Sequence, residues 1–104
     1  MLLTIIPSDS SVYRNRERLI CDFAGLEIPA MLHAFQWDGV KGELEFTEDS
    51  NGQKPVNTKV EALPAWALEC DARFADAKMK EMERAVQEAA RIARQQATLA
   101  AQAK

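Results

Sequence analysis

The pattern of hydrophobic and polar residues changes its period near Pro64. Before this point, apolar residues alternate with polar ones in short runs interrupted by Pro, Gly, Asn and Ser, which is typical of β-strands joined by turns. After it, apolar residues recur at steps of three and four with no further Gly or Pro, which is typical of a helix. We therefore predict an α+β fold, with a small antiparallel β head over residues 1–63 and a long projecting C-terminal helix over residues 64–104.

The head contains several candidate strands. The segments LLTII and VYRNRERLICDF predict three strands, with a tight turn at Asn15-Arg16 between the second and the third. LHAFQW and ELEF predict a hairpin around the turn DGVKG, in which Gly39 and Gly42 can take a positive φ. After a polar loop, NTKVEAL predicts a last short strand.

Strict alternation in the hairpin places the single histidine on the same strand face as two aromatic residues. The returning strand adds two apolar residues to this face, and its glutamates point to the other side. At the start of the helix, Trp66, Cys70 and Phe74 recur at i, i+4 and i+8 and are expected to pack on the sheet. The predicted head core comprises His33, Phe35, Trp37, Leu44, Phe46 and Trp66.

The helix carries a heptad pattern of apolar residues. A continuous helix of about 40 residues would be about 60 Å long, whereas a head of about 70 residues is roughly 22–30 Å across. The distal half must therefore project, and its apolar stripe needs self-association or docking to be covered. A frayed end after about Gln95 is the alternative for the last turns. The heptad positions are Leu68, Ala72, Ala75, Met79, Met82, Val86, Ala89, Ala93, Gln96, Ala100 and Ala103, with Ala85, Ile92 and Leu99 on one flank. The predicted interface residues are Met79, Met82, Val86, Ala89, Ile92, Ala93 and Leu99.

Charge is distributed unevenly along the chain. Residues 1–74 hold 12 acidic and 7 basic side chains, a net charge of −5, and residues 75–104 supply the remaining +2 of the total of −3. An acidic head argues against binding of a phosphate backbone. Arg91, Arg94 and Lys104 form a basic end that nucleic acid could contact, but we expect them to complement the helix dipole.

Cysteine content and hydropathy give no sign of a cofactor or a membrane segment. Cys21 and Cys70 lack metal-ligand spacing, and two buried thiols are favoured over one disulfide. The opening MLLTIIP is too short for a signal-peptide core, and no apolar run approaches membrane-spanning length. We expect no cofactor, no metal and no membrane contact.

Catalytic chemistry has few candidates in this sequence. His33 is the single candidate general base, and Glu43 or Glu45 would need to face it across the hairpin. Two carboxylates on one strand also suit glycoside hydrolysis, but a head of this size leaves little room for a sugar cleft. We expect a half-buried structural histidine, a solvated acidic edge, no enzymatic activity and no small-molecule substrate. A small hydrolase using His33 is the alternative.

The stretch LHAFQWDGVKGELEF, with the later KPVN and ALPAWALEC, resembles small phage and prophage proteins usually encoded beside tail-fibre genes. Their core has the form (I/L)HA-x-QWxGxxGxxE(F/Y). It is matched here by Leu32, His33, Ala34, Gln36, Trp37, Gly39, Gly42, Glu45 and Phe46. Pro55 and Asn57 fit the family's PN-like loop loosely, since Val56 separates them. The resemblance covers residues 28–70 and leaves the Ala-rich tail outside.

This resemblance implies a role in a phage tail or tail fibre and implies no catalytic residues. The first hypothesis is a structural or adaptor protein whose helix binds copies of itself, with a trimer as one option, or another tail protein. The second is a tail-fibre assembly chaperone that is absent from the mature virion. Both hypotheses place the protein in the host cytoplasm during assembly, and the first also places it in the virion tail.

Overall fold

A computed structural model describes residues 1–102 as a six-stranded antiparallel sheet followed by one long helix. The strands are β1 (Leu3–Ile6), β2 (Ser11–Arg14), β3 (Glu17–Ile20), β4 (Leu32–Trp37), β5 (Gly42–Phe46) and β6 (Thr58–Val60), and the helix α1 spans Ala65–Gln102. Ala103 and Lys104, which the sequence assigns to the helix, lie outside the described residues. The predicted α+β fold with a β head and a long helix is confirmed.

The sheet has the strand order β3-β2-β1-β4-β5-β6, with β1 and β4 at its centre. Ile5 of β1 pairs with Val12 on one side and with Phe35 on the other. This row of paired residues continues from Val12 to Leu19 of β3 and from Phe35 to Leu44 of β5. These apolar residues face the same side because neighbouring residues in register point in the same direction. They form the sheet face on which the helix packs.

The tight turns follow the sequence. Asn15 and Arg16 link β2 to β3 with φ values of 49° and 74°, as a two-residue hairpin turn with a right-handed strand twist requires. In the β4–β5 turn, the Asp38 carboxylate oxygen Oδ1 accepts hydrogen bonds from the amides of Val40 and Lys41, both at 2.8 Å. The bond from Lys41, followed by that from Val40, lowers the pKa of the Asp38 carboxyl.

The two glycines of the hairpin have different roles. Gly39 takes a φ of 103° in the turn, as predicted. Gly42 lies within β5 opposite Trp37, where no positive φ is required. A Cβ atom at Gly42 would lie 2.9 Å from Cε3 of the Trp37 ring and 2.8 Å from the Gln36 carbonyl oxygen. Gly42 therefore permits the close packing of the Trp37 ring against its neighbouring strand.

His33 is the main departure from the predicted pattern. The pairing of β4 with β5 shifts register between Leu32 and Ala34, which marks a β-bulge. The extra residue changes the alternation, so Leu32 and Phe35 are both buried while His33 is exposed. The assignment of His33 to the head core is therefore wrong, because the prediction assumed an uninterrupted period of two.

The first turns of α1 pack on one face of the sheet. The Pro64 carbonyl accepts hydrogen bonds from the amides of Ala67 and Leu68, both at 3.0 Å, and so begins the helix. The rings of Phe35 and Trp66 meet edge to face with 5.2 Å between their centroids. The buried hydrophobic cluster consists of Leu3, Ile5, Val12, Cys21, Leu32, Phe35, Leu44, Ala67, Cys70 and Phe74.

Polar contacts also fix the helix to the head. Arg14 of β2 lies 3.5 Å from the carboxylate of Asp71 and 5.8 Å from the centroid of the Phe74 ring. Arg73 donates hydrogen bonds to the carbonyl oxygens of Asp22 and Ala24 at 2.6 and 2.9 Å, which hold the loop after β3. These contacts join the head and the proximal helix into one packed unit.

The distal part of α1 leaves the head. Every residue from Met79 to Gln102 is exposed, and the described chain measures 72 × 32 × 23 Å along its principal axes. The helix that the sequence predicts to project therefore does so, over 24 residues or about 36 Å at the helical rise of 1.5 Å per residue.

Candidate functional site

The predicted head residues divide into three groups in the structure. Phe35 and Leu44 are buried, and Trp37, Phe46 and Trp66 are partly buried against the hydrophobic cluster. The remaining residue, His33, is exposed on the bulge. Apart from His33, these side chains hold the sheet and the helix together and contribute no reactive group.

Within residues 1–102, the structure assembles no hydrolytic site around His33. No hydrogen bond joins this imidazole to Glu43 or Glu45, which pair with Gln36 and Ala34 in the ladder. In the same part of the chain, no group of three or more His, Cys, Asp or Glu residues is placed to hold a metal ion. His33 is therefore not brought to either carboxylate that the hydrolase alternative needs.

The two cysteines are free and buried. Burial raises the pKa of the Cys21 thiol and raises that of Cys70 to about 11. A thiol held neutral in this way is a weak nucleophile, because the thiolate is the reactive form. Both cysteines are core side chains in this fold.

A cavity of about 460 Å³ lies on the sheet face that the helix leaves uncovered. Its charged lining is balanced, with Asp38 and Glu43 beside Lys41 and Lys59. No imidazole or thiol lines it, and Thr4 supplies its hydroxyl group. This cavity offers a polar surface without an arrangement that activates a nucleophile or a proton donor.

The surface that stands out is an apolar stripe on α1, defined as the heptad positions from Leu68 to Ala100. At 100° per residue, these positions lie roughly 150° around the helix from Trp66, Cys70 and Phe74, which face the sheet. The stripe is therefore a second apolar face, and it points away from the head.

Large side chains on this face are open to solvent. The exposed fraction is 53% for Leu68, 61% for Met79, 58% for Met82 and 69% for Val86. Ala89 and Ala93 continue the exposed stripe, and Ile92 and Leu99 lie exposed on its flank. All seven predicted interface residues are thus on the solvent side of the helix. The stripe is therefore a contiguous apolar face that stays exposed along the helix.

A shallow groove of about 360 Å³ lies in the middle of the stripe. Met79, Met82 and Val86 form its apolar part, and Glu83 and Gln87 form its border. Methionine and valine side chains around a groove give a surface that another helix face can fill.

Charged groups beside the stripe and on the opposite side of the helix are paired. The Lys78 ammonium donates a hydrogen bond to Glu17 of β3, and this bond raises the pKa of Lys78. Further along, Arg91 donates to Glu88 at 3.1 Å and to the side chain of Gln95 at 3.4 Å. Arg91, one of the residues considered for nucleic acid, is therefore engaged within its own helix. Lys104, another of them, lies outside the described residues.

Comparisons with protein-family models, with curated proteins and with solved structures give no significant match to this chain. Within the part of the chain that the structure describes, no helix combines the length and the apolar character needed to cross a membrane.

Proposed function

We propose that this chain is a structural or adaptor protein of a phage tail and that it assembles through the apolar stripe of α1. The observation that carries the assembly role is the stripe itself, because large hydrophobic side chains stay 53–69% exposed on a helix that extends beyond its own head. The head is already packed by a different face of the helix. The stripe is therefore available to a partner without any rearrangement of the head.

The energetics favour covering this face. Full burial of a Val, Leu or Met side chain stabilises a complex by about 1.5–3 kcal/mol relative to exposure. Met79, Met82 and Val86 together offer several kcal/mol of such stabilisation, on the order of what a weak to moderate complex needs. The alanines allow the backbones of two helices to approach closely. These features support association with another helix.

The phage part of the proposal is supported by the resemblance of the hairpin sequence to the proteins encoded beside tail-fibre genes. The structure gives a physical reason for two glycines of that string, since Gly39 serves the turn and Gly42 accepts the Trp37 ring. The string therefore describes a defined local structure, the β4–β5 hairpin. The resemblance ends near Cys70, before most of the stripe.

A tail-fibre assembly chaperone is the alternative function. The small acidic head and the exposed stripe would suit transient cover of an apolar fibre surface. Mass spectrometry of purified virions separates the two roles. An adaptor is present in a fixed ratio to the tail proteins, whereas a chaperone is present in the infected cell and missing from the particle.

The assembly role is tested by charge on the stripe. In the double variant Val86→Glu/Ala93→Glu, two carboxylates would have to be desolvated at the interface, so complexes seen for the wild type should dissociate. The matched control, Arg84→Gln/Thr98→Glu, changes the net charge by the same amount on the side of the helix away from the stripe and its flank, and should leave them intact. Light scattering after size exclusion gives the mass, and pull-down with tail proteins reports other partners. Equal behaviour of both variants would reject the stripe as the interface.

A further inference from the structure

We propose that α1 pairs with α1 of a second copy in an antiparallel arrangement, centred near Arg84, with the two heads at opposite ends. This inference rests on the proposed assembly role of the stripe and names its partner. It follows from the distribution of side-chain size, the groove position, the charge gradient and the placement of the head.

Side-chain size is distributed unevenly along the stripe. The large residues Met79, Met82 and Val86 are clustered, and alanines lie on both sides of them. In a parallel pair in register, each residue would meet its own copy, so that methionine layers would force the helices apart while alanine layers would need close contact. Voids and overpacking are both unfavourable in such an interface.

An antiparallel pair about position 84 removes this conflict. The large residues of one helix then face small residues of the other, apart from the two symmetry-related central layers in which methionine meets valine. The facing pairs are Leu68 with Ala100, Ala72 with Gln96, Ala75 with Ala93, Met79 with Ala89, and Met82 with Val86. Opposing large and small side chains keep the spacing between the two helices even. Every described position of the stripe acquires a partner in this register.

The groove lies where this arrangement needs it. Its lining runs from Met79 to Gln87, on both sides of position 84. In the pair, Val86 of each copy enters the groove of the other and lies opposite Met82. A dimer with a two-fold axis needs a surface that is complementary to itself. The groove and Val86, which fills the groove of the other copy, lie on the same surface and so meet this requirement.

Charge supports the same orientation. Residues 1–74 carry a net charge of −5, and the described distal segment from Arg84 onward has three arginines and one glutamate. An antiparallel pair brings this basic segment beside the proximal helix and acidic head of the other copy. On the flanks, Glu69 and Asp76 face Ala97 and Ala90. In a parallel pair, Asp71 and Asp76 would be neighbours and the two acidic heads would lie side by side, an arrangement that repels within a Debye length of about 8 Å.

The head does not obstruct the proximal half of the stripe. Leu68 is 53% exposed although it lies only two residues beyond Trp66, which packs on the sheet. Ala72 and Ala75 are exposed as well. The distal helix of a second copy can therefore lie along the proximal helix without displacing the sheet.

Disulfide trapping in the full chain tests the orientation. A mixture of the Met79→Cys and Ala89→Cys variants should give a cross-linked product near twice the chain mass of 11.6 kDa, because positions 79 and 89 face each other. Ala89→Cys alone should give little product, since position 89 faces itself only in a parallel pair. The wild type is the matched control, because Cys21 and Cys70 are 4% and 0% exposed.

Spin labels at Thr98 give a second measurement that needs no covalent trapping. In the antiparallel pair, two labels at position 98 are separated by about 42 Å along the axis, 28 residues at 1.5 Å each. In a parallel pair they have no separation along the axis and lie on the outer faces of the two helices, roughly 20 Å apart. A separation near 42 Å supports the proposal, and the short distance overturns it.

The outcomes distinguish this inference from the proposed function. If the wild type is a dimer and Ala89→Cys alone forms the product, the antiparallel pair is wrong while assembly through the stripe stands. A trimer by light scattering also overturns the pair and leaves the assembly role in place. If the wild type is a monomer at high concentration, self-pairing is wrong, and the virion and pull-down experiments decide the proposed function separately.

Discussion

The ring of Phe35, at the centre of the sheet, meets the ring of Trp66 on the helix with 5.2 Å between centroids and 73° between ring planes. Phe35 is fully buried, and Trp66 lies in the first turn of α1. This contact joins the middle of the head to the beginning of the helix. It is one of several contacts that hold the proximal helix against the sheet.

We expect Phe35 and Trp66 to be energetically coupled. In a double-mutant cycle with Phe35→Leu and Trp66→Leu, the coupling free energy should be about 0.5–1.5 kcal/mol, the range for edge-to-face aromatic pairs. Urea unfolding followed by circular dichroism gives the four stabilities. Val56→Ala, at a side chain 86% exposed, is the control and should change stability by less than about 0.5 kcal/mol. Additive single-variant effects would contradict the coupling.

Gly42→Ala should destabilise the head. The added Cβ would lie 2.8 Å from the Gln36 carbonyl oxygen and 2.9 Å from Cε3 of Trp37, so the two strands must shift. We expect a loss of about 1–3 kcal/mol in the free energy of unfolding, typical of overpacking. Gly52→Asn is the matched control, because no atom lies within 4 Å of its Cβ position and asparagine tolerates its φ of 75°. A Gly42→Ala variant as stable as this control would contradict the packing role of the glycine.

Arg16→Gly should stabilise the chain. Arg16 takes a φ of 74° in the β2–β3 turn, a conformation that costs an L-residue about 1 kcal/mol and glycine almost nothing. We expect a gain of about 0.5–1 kcal/mol, reduced somewhat by the greater freedom of glycine in the unfolded chain. Arg16→Ala removes the same charge and keeps the unfavourable φ, so it should show no gain. If the two variants were equally stable, the change in stability would come from the lost charge and not from the φ of residue 16.

Stability should fall at alkaline pH through Cys70. Burial raises the pKa of this thiol from 9.0 to about 11, so the unfolded chain releases its proton at lower pH than the folded chain. The stability that the buried, protonated Cys70 thiol contributes is therefore fully present below pH 9 and is lost as the pH rises to about 11. Urea midpoints between pH 7 and 11 should fall more steeply for the wild type than for Cys70→Ala. Parallel curves for the two proteins would contradict the role of the thiol.

The sequence predicts those parts of the fold that depend on local patterns. The two-residue turn at Asn15-Arg16 and the change to a helical period near Pro64 are both found in the structure. The sequence does not reveal the bulge at His33, because a bulge is a shift in the pairing of β4 with β5 and the residues of β4 alone give no sign of it. The packing role of Gly42 was missed as well, since it depends on the residue opposite in the ladder. Strand order depends on contacts between distant segments, which a single sequence does not reveal.

The stripe was predicted residue by residue, but its position relative to the sheet was not. Between Trp66 and Phe74, one set of apolar residues packs on the sheet, while Leu68 and Ala72 of the stripe are interleaved with it. The sequence separates the two sets, because Trp66, Cys70 and Phe74 recur at steps of four and are expected on the sheet, but it does not give the angle between them and the stripe. The three-dimensional structure resolves them as two separate surfaces.

One unbroken helix carries both the sheet-facing residues and the stripe, so the number of residues between them sets both a distance and a rotation. One residue inserted after Lys78 would turn the distal stripe by about 100° relative to the head, whereas seven would turn it by only about 20° and lengthen the stalk by about 10.5 Å. The distal helix can therefore change its length in steps of seven residues with little change in the direction of the stripe. Changes of length in other steps would point the exposed stripe in a new direction while leaving the head intact.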